Sequence, residues 1–237
     1  MKKNVMMRVA SVLLICVLLT SSVISGTFAK YVTTGDVSDK AQVAKWGVTI
    51  EGTDDTLFAQ GYKAGDVVAT ADEDAASVWC KTATINLVAP GTAGSLTHFD
   101  IAGTPEVDVA VTYTATLTLE GWYLDADKNG AQDGGEEDYC PLIFTVGTEE
   151  FYIGKAGITN VAELKAAVEA AIVAKAATYK HNTDLSAVED DLNVSWRWEY
   201  YVDGATDVKD TKLGDQAAAG NEATVQLDVS CTITQIN

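Results

Sequence analysis

The sequence predicts a mainly β protein, a jelly-roll-like two-sheet β-sandwich with one inserted amphipathic α-helix over about residues 160–180. Glu106 to Leu119 (EVDVAVTYTATLTL) places Val107, Val109, Val111, Tyr113, Ala115, Leu117 and Leu119 on one face. That period of two marks a half-buried strand. Similar alternating runs recur along the chain between turn residues. One segment breaks their rhythm: Val161, Leu164, Val168, Ile172, Ala176 and Tyr179 fall at steps of three and four, one apolar stripe.

Taken in order, Gln42 to Glu51 (QVAKWGVTIE) alternates around Val43, Trp46, Val48 and Ile50, with a kink or bulge expected at Gly47. Cys80 to Val88 and Ser95 to Ile101 are short β-rich runs on either side of the turn-forming Ala89-Pro90-Gly91. Pro141 to Val146 is another apolar run. Leu192, Val194, Trp196, Trp198 and Tyr200 share one strand face, and Ala223 to Ile236 alternates Val225, Leu227, Val229, Cys231 and Ile233. The helix is expected over Val161–Lys180, with Asn160 as N-cap and Glu163 closing a capping box. Alanine fills much of its remainder. Many strands and one helix suit a two-sheet sandwich. No firm boundary interrupts residues 42–237, so one domain is expected there.

Charge narrows the function classes. The chain of 237 residues carries 34 Asp+Glu against 16 Lys+Arg, a formal net charge of −18. Such an excess works against nucleic acid, whose phosphates need Lys and Arg to displace counterions, and against anionic lipid surfaces. It permits a soluble exported protein, or one that collects divalent cations. Five Trp and nine Tyr argue for a packed chain rather than a disordered one.

Residues 1–29 read as a secretory signal peptide. Lys2, Lys3 and Arg8 form its positive end, Val9 to Leu19 its apolar stretch, and Thr27 and Ala29 the −3 and −1 positions of a cleavage site before Lys30. The apolar run is short for a membrane span, so no stable anchor is expected after cleavage; an uncleaved N-terminal anchor is the alternative. Cys80, Cys140 and Cys231 would remain. Either one disulfide plus a thiol, or three buried thiols acting as small apolar residues, satisfies that odd number.

Residues Ser25 to Ile50, SGTFAKYVTTGDVSDKAQVAKWGVTI, resemble the start of the TasA/camelysin (CalY) family of Gram-positive bacteria. In that family a dedicated signal peptidase, SipW, cuts after a G-T-[WF]-A type sequence, and an aromatic residue, a short polar stretch and a strand follow. Gly26-Thr27-Phe28-Ala29 matches the cut, Tyr31 the aromatic and Val43 to Ile50 the strand. The resemblance covers about 25 residues. It implies a secreted structural subunit of extracellular or biofilm-matrix fibres, self-associating when the N-terminal arm of one copy, residues 30–41, adds as a strand to the next. Tyr31, Val32 and Val37 are the candidate anchors of that arm. The bland alternative is a loose N-terminal tail.

The strongest chemical motif is an acidic loop. Counting from Asp125, oxygen ligands fall at Asp125, Asp127, Asn129, Asp133 and Glu136, with Gly130 at the turn and the Ala131 carbonyl after it. That is the oxygen spacing of an EF-hand calcium loop, because Ca²⁺ takes six to eight hard oxygens. A solvated hairpin loop is the alternative reading, since the flanks look like strands and Gln132 sits where an apolar residue is usual.

Camelysin is grouped as a metallopeptidase, which makes a cell-surface metallopeptidase the runner-up function. Zinc is not expected: the chain has two histidines, His98 and His181, and neither has the i, i+4 partner of H-E-x-x-H. A third reading is a surface adhesin or carbohydrate-binding sandwich, with Trp196, Trp198 and Tyr200 as a stacking platform. Core filling is the competing role for these aromatics, and Arg197 and Glu199 then face solvent from the opposite side.

Overall fold

The computed structural model describes residues 32–36, 41–42, 47–52, 57–59, 61–62, 78–79, 86–96, 99–187 and 192–236. Its strands in chain order are β1 (Val32–Asp36), β2 (Ala41–Gln42), β3 (Thr49–Gly52), β4 (Gly61–Tyr62), β5 (Val78–Trp79), β6 (Ala93–Leu96) and β7 (Phe99–Ala102). They continue as β8 (Val109–Glu120), β9 (Leu142–Val146), β10 (Glu149–Phe151), β11 (Ala177–Tyr179), β12 (Val194–Trp198) and β13 (Thr224–Gln235). Two helices interrupt them, α1 (Val161–Val173) and α2 (Gly204–Ala218). Residues 1–29, where a signal peptide is expected, with Thr27 and Ala29, lie outside the described residues, as do Lys30, Tyr31, Val37, Cys80 and His98.

The protein is mainly β, as its alternating runs predict. One four-stranded sheet runs β1-β13-β8-β11 and a second runs β10-β9-β12-β6; smaller sheets join β2-β3-β7 and β4-β5. The longest alternating segments, β8 and β13, pair antiparallel along their whole length, from Thr224 opposite Glu120 to Gln235 opposite Val109. Val109, Val111, Tyr113 and Leu117 of β8 are buried, and so are Val229, Cys231 and Ile233 of β13. In the second sheet Leu142, Phe144 and Val146 of β9 and Val194, Trp196 and Trp198 of β12 are buried in the same alternate fashion. These rows, with Leu164, Val168 and Ile172 of α1, make the core.

Helix α1 starts where expected. Asn160 is its N-cap and accepts from the Glu163 N–H at 2.9 Å, while Glu163 reaches back to the Thr159 N–H at 2.7 Å. It ends earlier than the expected Lys180, because Val173 is its last residue and Ala177–Tyr179 becomes β11. The reason is tertiary: β11 pairs with Val109–Val111 and so covers part of the exposed edge of β8. Farther along that strand α1 contributes directly, since Glu169 Oε1 accepts from the Leu117 N–H at 2.8 Å.

Helix α2 has no counterpart in the sequence reading. Of its residues only Leu213 and Gln216 are buried, so it has no apolar stripe to announce it. Asp203 caps it, accepting from the N–H groups of Ala205 and Thr206 at 2.9 and 2.8 Å. The single kinked strand expected over Gln42–Glu51 is instead a chain reversal, since Gln42 of β2 pairs antiparallel with Thr49 of β3, and Gly47 just before β3 has φ +67°. Among the described residues no helix is long and apolar enough to cross a membrane.

The two faces of α1 make a direct stability test. Leu164 is 0 % exposed and Val173 is 48 % exposed. Leu164→Ala should lower unfolding free energy by about 2–5 kcal/mol through the cavity it leaves. Val173→Ala should change it by less than about 0.5 kcal/mol. Chemical denaturation of the two variants checks the difference, and equal losses would mean that α1 is not seated as described.

Candidate metal centre

The acidic loop hangs between two chain segments that close like a hairpin beyond β8. Tyr123 and Asp138 form a lone antiparallel bridge. The Leu124 N–H donates to the Glu137 carbonyl at 2.9 Å, and the Tyr139 N–H to the Trp122 carbonyl at 3.0 Å. Trp122, 3 % exposed, ties this base to the start of β13 through its indole N–H, which donates to the Thr224 carbonyl at 2.7 Å. The flanks are therefore extended, as read from the sequence, rather than the paired helices of an EF-hand.

Within the loop, carboxylates wind the backbone around themselves. Asp125 accepts from the N–H groups of Lys128, Asn129 and Gly130, the last two at 3.2 and 2.8 Å. Partial burial pushes the Asp125 carboxyl up, but those N–H donors, Gly130 foremost, outweigh it and hold the pKa below the ordinary carboxylate value. Glu136 accepts from the Ala126 N–H at 2.7 Å through one oxygen and from the Asp133 N–H at 3.0 Å through the other. The Asn129 side-chain amide donates to Asp127 at 3.0 Å and Asp133 at 2.6 Å, and its oxygen accepts from the Ala131 N–H at 2.7 Å.

Three of the six predicted ligand residues converge fully. One carboxylate oxygen from each of Asp125, Asp127 and Glu136 lies within 4.8 Å of the others. Asn129 and Asp133 join this group through the hydrogen bonds above. Ala131 enters through its N–H. Gly130 is required at the turn: its φ is +79°, and a Cβ there would sit 2.8 Å from Asn221 Oδ1.

What sequence reasoning missed is the support. Gln216 of α2 is 8 % exposed; its Oε1 accepts from the Asp125 N–H and its Nε2 donates to the Tyr123 carbonyl, both at 3.0 Å. A cleft of about 400 Å³ separates the loop from α2, lined by Asp125, Lys128, Lys212, Asp215 and Asn221 among others. A buried glutamine in a stripe-free helix leaves no signal in a single sequence.

The other candidate residues are engaged elsewhere. His181 Nδ1 lies 2.9 Å from Asp108 Oδ1, and Lys180 Nζ lies 2.8 Å from Asp108 Oδ2. Lys180 first, then His181, holds the Asp108 carboxyl well below the usual carboxylate range. Trp196 and Trp198 are 2 and 5 % exposed. The Trp196 ring packs against Phe58 and Tyr62, and its N–H donates to the Leu57 carbonyl at 2.7 Å. These tryptophans are core residues, turned away from any sugar at the surface. Arg197, on the other face, binds Glu199 at 2.7 Å and Glu150 at 2.8 Å. Cys140 and Cys231 carry buried thiols, and burial pushes that of Cys140 up to about 12. No family model, curated protein or solved structure matches this chain.

Because Gln216 bridges the loop base to α2, Gln216→Ala should leave the Tyr123 carbonyl and the Asp125 N–H without that partner. We expect a loss of about 1–3 kcal/mol for each such group that stays buried and unpaired. Faster hydrogen exchange at the Asp125 amide should accompany it. Unchanged exchange there would show that the loop is held without Gln216.

Proposed function

We propose that this chain is a secreted structural subunit of extracellular or biofilm-matrix fibres of a Gram-positive bacterium, released by a dedicated signal peptidase and joined to its neighbours by N-terminal strand addition. The observation that supports this reading is the position of β1. Among the described residues it is an edge strand, at the N-terminal end of the folded unit, and it pairs with β13 from Val32 opposite Thr234 to Asp36 opposite Ser230. Backbone hydrogen bonds hold such a strand whichever copy supplies it, so the arm of a neighbour can take the same place. The resemblance around Gly26-Thr27-Phe28-Ala29 points the same way. The peptidase alternative has no comparable support, because among the described residues His181 belongs to no group of three converging metal-ligating side chains.

Exchange is tested by a cross-link. Gly35 lies opposite Cys231 in the β1–β13 register. Gly35→Cys, oxidised under assembly conditions, should give a ladder of disulfide-linked multimers on a non-reducing gel. An exclusively monomeric band would mean that the arm stays on its own sheet. Deleting residues 30–40 should likewise abolish filaments seen by electron microscopy, with circular dichroism confirming that the truncated chain remains folded.

A second reading, calcium at the acidic loop, is favoured by the convergence of Asp125, Asp127 and Glu136. Calcium would cancel the repulsion among these carboxylates and fix the loop. Asp125, Asp127, Asn129, Asp133 and Glu136 with the Ala131 carbonyl would hold it. A ligand that binds only the folded state raises stability by roughly 2.7 kcal/mol at a hundredfold excess over Kd. Extracellular sites often have Kd values of about 10⁻⁴–10⁻³ M, so melting temperature should rise in millimolar Ca²⁺ and much less in Mg²⁺. Asp125→Asn with Glu136→Gln should remove the difference. The same melting temperature in calcium and in chelator would leave the loop a solvated turn.

A further inference from the structure

β13 is twelve residues long, yet its two neighbours cover it unequally. β8 pairs with all of it, whereas β1 ends at Asp36 opposite Ser230. Among the described residues, no strand pairs with the outer edge of β13 over Val225–Val229. That edge presents backbone donors and acceptors to whatever can pair with them.

The side chains along it say which partner fits. Val225 and Leu227 are half-buried and Val229 is buried, all on the core face. Gln226 and Asp228 are exposed on the other face, where the Gln226 amide donates to Asp228 at 2.9 and 3.1 Å. In an antiparallel pair, residues opposite one another point to the same face. If a second β13 is laid against this edge with Leu227 opposite Leu227, then Val225 meets Val229 and each Gln226 meets the Asp228 of the other copy. The apolar row continues across the contact, and every carboxylate faces an amide. A register with Asp228 opposite Asp228 would set like charges side by side, so that charge also selects the pairing. Five residues on each copy are used, and the pairing stops where β1 begins.

We propose that the chain self-associates through an antiparallel β13–β13 contact over Val225–Val229, with a second copy of this chain related by a two-fold axis at Leu227. Two four-stranded sheets would thereby become one continuous sheet through their β13 strands. This contact stands apart from the place of β1, which pairs with Ser230–Thr234 of the same strand.

The test is a charge swap at two exposed positions in the chain from Lys30 onward, which contains the whole folded unit Val32–Asn237. Sedimentation at about 0.1 mM, above a micromolar Kd, should show a dimer for the unaltered protein. Gln226→Asp places acid opposite acid and should weaken dimerisation roughly tenfold or more. The double variant Gln226→Lys, Asp228→Lys should be equally impaired alone, yet pair with Gln226→Asp when the two are mixed. Filaments that persist in Gln226→Asp while the dimer is lost would separate this contact from arm exchange. A chain that stays monomeric at that concentration, or a Gln226→Asp dimer of undiminished affinity, overturns the proposal. Mass-spectrometric cross-links that place a neighbour's arm on Val225–Val229 would overturn it as well.

Discussion

The antiparallel ladder between β8 and β13 is the constraint on which the remaining structure depends. It joins Val109–Glu120 to Thr224–Gln235, segments separated by more than a hundred residues of chain. Closing so long a loop costs little more than closing a shorter one, because the entropy of closure grows only with the logarithm of length. Everything between the strands can therefore be elaborate. The acidic loop, three of the four strands of the second large sheet and both helices lie within that interval. β1 takes part of the free edge of β13, while β11 and Glu169 of α1 serve that of β8. Trp122, just after β8, bonds to the first residue of β13 and fixes the point from which the acidic loop departs.

An acidic chain with 34 Asp+Glu and 16 Lys+Arg cannot pair every carboxylate with a cation. Many instead accept from backbone N–H groups. Asp203 caps α2, Glu163 reaches back to Thr159, Asp138 accepts from the Val161 N–H at 2.9 Å, and Glu169 serves Leu117. Asp125 and Glu136 do the same inside the loop. Such bonds hold Asp203, Glu163 and Asp125 below the ordinary carboxylate value, and Asp203, Glu163 and Asp138 place negative charge beside helix N-termini where the dipole welcomes it. The same habit gives the acidic loop a defined shape while leaving its carboxylates close together.

The outer edge of β13 is covered unequally along its length. β1 is short, comes from the N-terminal end of the folded unit and pairs with only five residues of β13. The edge of β13 beyond it is guarded by a single carboxylate, Asp228. A charge on an edge strand usually discourages pairing. It does so only in registers that bring like charges together, and the neighbouring Gln226 offers one that does not.

Alternation and stripe were legible because each residue's partner face is set locally. Period two put Val109, Val111, Tyr113 and Leu117 inside, and Trp196 and Trp198 with them. The N-cap at Asn160 and the spacing of Asp125, Asp127 and Glu136 are also local facts, and both appear in the fold. The end of α1 was not legible. Ala176 and Tyr179 continue its stripe, but the edge of β8, more than sixty residues earlier in the chain, draws Ala177–Tyr179 into a strand. Helix α2 was equally hidden, because it packs through little more than Leu213 and Gln216 and forms on its Asp203 cap. The sequence by itself determined which residues face the core and where the acidic oxygens lie. Only the tertiary structure decided what braces that loop and which part of β13 pairs with β1, since both depend on segments brought together across the whole chain.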